Sequence, residues 1–93
     1  MNELLKLIAI RLRMQRQVQD MRIKEVAEKL DVTPSYISAI ETGKSRLSLE
    51  LYLGLCSIYD IQPGKFLDAV IAEHQTGDPH MEVTIFAKLV SPN

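Results

Sequence analysis

Residues 23–43 read IKEVAEKLDVTPSYISAIETG, and they predict two short helices meeting at a tight corner. Ile23, Val26, Ala27 and Leu30 fall at i, i+3, i+4 and i+7, the spacing that turns one face of a helix toward a core. Asp31 stands where a chain leaving a helix commonly turns left-handed, a conformation Asp tolerates less well than Gly but better than a branched residue. Val32 plugs the corner. Thr33 and Pro34 restart the helix, because the Thr hydroxyl caps free amides and Pro suits a first turn that needs no donor. In this second helix Ile37 and Ile40 point inward, Ala39 keeps the element slim, and Gly43 follows the last turn. Two short helices joined in this way make a helix-turn-helix.

The pattern formed by Val26, Ala27, Leu30, Val32, Ser35, Tyr36, Ile37, Ser38, Ile40, Glu41, Gly43 and Lys44 resembles the XRE family of bacterial and phage regulators, with the lambda-repressor-like fold. The resemblance runs from about Leu5 to Leu67. It implies an all-α, five-helix DNA-binding domain and a sequence-specific transcriptional regulator, a repressor in most such cases, working in the cytoplasm as a homodimer on a palindromic operator. The family often carries a phosphate-binding Gln where this chain has Ile23, so that contact is not carried over. An Arg near the end of the family's first helix commonly pairs with the Glu closing the recognition helix, and Arg16 and Glu41 fill those places. Arg16 has a second reading, as a DNA contact.

Net charge is −1 and the pI about 6.1, which taken alone argues against a nucleic-acid partner. The distribution argues for one. Residues 1–46 hold nine basic groups against six acidic, and residues 47–93 hold two against six. The basic half contains the helix-turn-helix, and the acidic half would face away from DNA or toward a partner. At 93 residues with 46% apolar content, the chain suits one small domain. With no Trp, three Tyr and two Phe, the predicted core is aliphatic, built from Leu, Ile and Val. A lone cysteine, Cys56, allows no internal disulfide and reads as a small core residue. No leader or membrane-length apolar run is present, which points to a soluble cytoplasmic protein without membrane attachment.

Working outward, Asn2 to about Gln19 predicts a first helix with Leu5, Ile8, Leu12 and also Leu4 inside. Leu7, Ile10, Met14 and Val18 widen the apolar stripe, so this helix is either buried on two sides or meets another subunit. Ser48 caps a fourth helix that runs to about Tyr59 and buries Leu49, Tyr52 or Leu53, Leu55, Cys56 and Tyr59. Pro63 opens a fifth helix, to about Gln75, with Phe66, Leu67, Val70 and Ile71 inward. The domain is thus residues 1–76, and residues 77–93 are a C-terminal extension. Within it, MEVTIFAKLV (81–90) has the β-branched and aromatic content of a short strand and an apolar alternation broken at Phe86 and Val90. A lone strand leaves its backbone unpaired. The expectation is therefore an antiparallel pairing with a second copy, with Val83, Ile85, Phe86, Ala87 and Leu89 in the dimer contact.

A recognition helix enters the major groove with its N-terminal residues nearest the bases, which nominates Thr33, Pro34, Ser35, Tyr36, Ser38 and Ala39. No Arg, Asn or Gln stands there for a bidentate base contact, so discrimination is expected to be modest and to draw on DNA shape and half-site spacing. Thr33 is first a cap. Lys44, Ser45 and Arg46 follow the helix as phosphate contacts, with Arg22 and Lys24 as further candidates. No nucleophile–base arrangement, glycine-rich phosphate loop or metal-ligand cluster accompanies them: His74 and His80 flank a helix end and a turn, and the methionines read as packing. An enzyme, a catalytic site and a cofactor are not implied. The rival reading is a protein-interaction module, an antitoxin-like or mobile-element accessory protein that holds a protein partner through its acidic half.

Overall fold

The computed structural model describes residues 3–76, and within them every regular element is helical: α1 (Glu3–Val18), α2 (Ile23–Leu30), α3 (Pro34–Glu41), α4 (Leu49–Ile58) and α5 (Pro63–Thr76). The predicted strand at 81–90, its dimer contacts and the 77–93 extension lie outside the described residues.

The helices start where the sequence places caps. The Thr33 hydroxyl accepts the Tyr36 amide at 3.1 Å, and the Ser48 hydroxyl accepts the Leu51 amide at 3.1 Å. At α2, the Glu25 carboxylate reaches back to accept the Arg22 amide at 3.1 Å. The stops share one construction. Asp20, Asp31 and Asp60 have φ of 55°, 56° and 54°, and Gly43 has φ of 79°. Each residue that follows sends its amide back five residues: Met21 to Arg16, Val32 to Ala27, Lys44 to Ala39 and Ile61 to Cys56, at 2.8–3.0 Å. These are Schellman closures, which satisfy carbonyls a helix end leaves open. After the Asp stops, Met21, Val32 and Ile61 fold their apolar side chains back onto the core.

That core joins Ile8 and Leu12 of α1, Val26 and Ala27 of α2, Ile37 and Ile40 of α3, Leu51, Tyr52, Leu55 and Cys56 of α4, and Phe66 and Val70 of α5, with Tyr59 and Ile61 between the last two helices. It is mostly aliphatic, as predicted, with Tyr52, Tyr59 and Phe66 as its aromatic members. Tyr59 and Phe66 are its two largest fully buried side chains, because a few aromatics suffice to fill the middle of so small a body. The Tyr52 hydroxyl finds a partner in the Pro63 carbonyl at 2.7 Å, which ties α4 to the start of α5.

Two helix faces also differ from expectation. Leu5 is 41% exposed and Leu49 is 72% exposed, so neither is an inner residue. In α1 the inward face is instead Ile8, Ala9, Arg11, Leu12 and Gln15, with Leu4 and Leu7 packed at its edge. In α4 it is Leu51, Tyr52, Leu55 and Cys56. Tyr52 takes the buried place between the two residues offered for it, and Leu53 is 47% exposed. Glycine serves a close approach at Gly54, where an added Cβ would stand 2.7 Å from Leu30 Cδ2. A bare backbone here lets α2 lie against α4.

Candidate nucleic-acid interface

α3 divides cleanly by burial. Ile37, Ile40 and Glu41 are buried, Tyr36 and Ala39 are half-buried, and Thr33, Pro34, Ser35 and Ser38 are exposed. The exposed residues occupy the start and outer face of the helix, the part that would meet base edges. Their chemistry is small and mixed. Ser35 and Ser38 each donate and accept, Ala39 offers a methyl, and the Thr33 oxygen is engaged with Tyr36 while its proton remains able to donate.

Behind this face α3 is held by charge. Arg16 Nε and Nη2 donate to Glu41 Oε2 and Oε1 at 2.8 and 3.0 Å, and Arg16 Nη1 donates to the Met21 carbonyl at 2.9 Å. The pair is nearly dry, with side chains 11% and 7% exposed. The hydrogen bonds to Glu41 raise the Arg16 pKa, against the opposing effect of burial. Burial pushes the neighbouring Tyr59 phenol up as well, and the Glu41 charge adds to it. One guanidinium thus ties α1, the first turn and the recognition helix together. The Arg16 donors are turned inward, onto Glu41 and the Met21 carbonyl.

The loop after α3 keeps its cations outward. Lys44 and Arg46 are exposed and Ser45 is half-buried. The amides of Lys44 and Ser45 both bond the Ala39 carbonyl, at 2.8 and 3.1 Å, so what this loop can offer a phosphate is side-chain charge and hydroxyl. In the first turn of α4, Ser48 occupies the Leu51 amide, and the amides of Leu49 and Glu50 precede it. Arg22 and Lys24 are exposed at the opening of α2. A shallow cleft between the corner and α4 is lined by Leu30, Val32, Tyr36, Ser48, Glu50 and Leu51. Glu50 of α4 thus shares this cleft with Tyr36 of α3.

A second buried pair lay beyond sequence reading altogether. Arg11 Nε donates to Glu73 Oε1 at 2.9 Å, with a further contact from Nη2 to Oε2, and the two side chains are 10% and 8% exposed. The signal available was positional. Arg11 falls among Ile8, Leu12 and Gln15 on the inner side of α1, and Glu73 falls three and seven residues after Val70 and Phe66.

Residues 12–66 match the model of the helix-turn-helix family. The chain belongs to that family. As a helix-turn-helix protein it is a DNA-binding transcription regulator of the XRE kind, a family that is not typically enzymatic. The matched stretch opens inside α1 and closes inside α5, so the recognition helix and its supports all fall within the family region. Neither curated proteins nor solved structures gave this helix-turn-helix chain a match. No described helix is long and apolar enough to cross a membrane.

Proposed function

We propose that this helix-turn-helix protein is a repressor that binds a palindromic operator as a homodimer. One observation carries the reading: α3 presents exposed Ser35 and Ser38 over a buried base of Ile37, Ile40 and Glu41, and exposed Lys44 and Arg46 follow directly. In this reading Thr33, Pro34, Ser35, Tyr36, Ser38 and Ala39 approach the bases and adjoining backbone of the major groove. Lys44, Ser45 and Arg46, with Arg22 and Lys24, hold phosphates. Two copies, paired through residues 77–93, present recognition helices to half-sites about one helical turn apart.

The test is selection of bound fragments from random duplex DNA at physiological salt, followed by titration of the recovered site. The expected result is a twofold-symmetric sequence with weakly defined bases where serines read it. Recovery of no enriched sequence, or of one lacking symmetry, would overturn the operator model.

A further inference from the structure

On α1 the described residues leave an apolar strip open. Ile10 and Val18 are 46% and 60% exposed, Leu7 and Met14 are half-buried, and the four lie at i, i+3, i+7 and i+11. That spacing keeps them on one side of the helix. Leu5, the other exposed apolar residue of α1, falls on the opposite flank by the same geometry. Arg11 borders the strip, with its Nη1 on the Met14 sulfur at 2.9 Å. It also grips Glu73, one turn before α5 ends at Thr76.

This places the exit of the chain next to the strip. Ile10 and Val18 lie about 1.5 and 10 Å along the axis from Arg11, and the five residues from Thr76 to Met81 span up to about 17 Å. Five residues are therefore long enough for a segment beginning at Met81 to reach both. Val83, Ile85, Ala87 and Leu89 recur at every second position there, with Glu82, Thr84, Phe86 and Lys88 between them. A segment so patterned has one apolar side that needs cover.

We infer that the apolar side of residues 81–90 seats on the Leu7–Ile10–Met14–Val18 strip of the same chain's α1, making that helix the floor of the dimer contact. The inference rests on the dimer reading above for the pairing of the two segments, but the seat is a separate claim. It accounts for a first helix wider in apolar residues than its own core uses.

The test uses the full chain in three variants, with dimer dissociation followed by sedimentation. Ile85→Asp/Leu89→Asp spoils the segment, Ile10→Lys/Val18→Lys spoils the strip, and Leu5→Lys is a control on the opposite flank. The first two should each weaken the dimer by about tenfold or more, as loss of central interface contacts does, while Leu5→Lys leaves it unchanged. Joining all four substitutions in one chain should recover part of the loss, because lysines then face aspartates. If the segment variant stays fully dimeric, the dimer reading fails and the seat with it. If the segment variant dissociates while the strip variant does not, or if the combined losses simply add, the seat is wrong and the dimer reading stands. Circular dichroism of each variant checks the helices, and the milder Ile10→Ser/Val18→Ser replaces the lysine pair if that pair fails to fold.

Discussion

Arg16 holds two carboxylate oxygens and a backbone carbonyl at once, and little water reaches the pair. Removing the cation alone leaves the Glu41 charge buried without a partner, so Arg16→Met should destabilise the protein by about 3–5 kcal/mol, read by urea unfolding. Replacing both partners with apolar residues should cost much less, since no buried charge is then orphaned. The left-handed aspartates give the opposite sign. Asp31→Gly relieves a strained φ at a helix stop and should stabilise by roughly 0.5–1 kcal/mol, after the entropy glycine adds to the unfolded chain; a lower melting temperature would show that the Asp side chain contributes there. The role of Asp31 was legible in the sequence because a helix pattern ended at it and a cap followed. Asp20 and Asp60 carry the same signature of an acidic residue followed by an apolar one, and the rule extends to them. Arg11–Glu73 was not legible, because its partners are 62 positions apart and nothing local says that α5 lies beside α1.

At the scale of elements, the proposed interface divides the work of binding between α3 and the loop behind it. Lys44→Ala/Arg46→Ala should leave the melting temperature nearly unchanged and weaken all DNA sequences alike, and the slope of log affinity against log salt should fall by about two units. Unchanged affinity at low salt would remove both residues from the interface. Ser48→Ala should cost roughly 0.5–2 kcal/mol through the lost cap on α4. Glu50, in the cleft beside Tyr36 and Ser48, opposes an incoming phosphate, so Glu50→Gln should tighten DNA binding a few-fold; unchanged affinity would place that carboxylate away from the backbone. Caps and helix order were readable here because each depends on neighbours within four residues. The facing of Leu49 was not. It follows the cap directly, and which side of the first turn meets the core is decided by where α2 approaches, through the space left at Gly54.

For the molecule as a whole, the sign of the net charge misleads and its placement informs. Cations concentrate in the half that carries α2 and α3, so binding should be strongly salt-dependent although the pI is about 6.1. The helix stops add a consequence in time. Every helix from α1 to α4 is closed by bonds spanning three to six residues, and such local structure forms early and fast. The Arg11–Glu73 clasp spans most of the described chain, so it should close only after the folding barrier has been crossed. Glu73→Gln should then leave the refolding rate nearly unaltered and speed unfolding by about a hundredfold, the whole loss appearing on one limb of a chevron plot. In this small regulator the clasp would act as a latch on lifetime, setting how long a folded molecule persists and leaving untouched how quickly it arises.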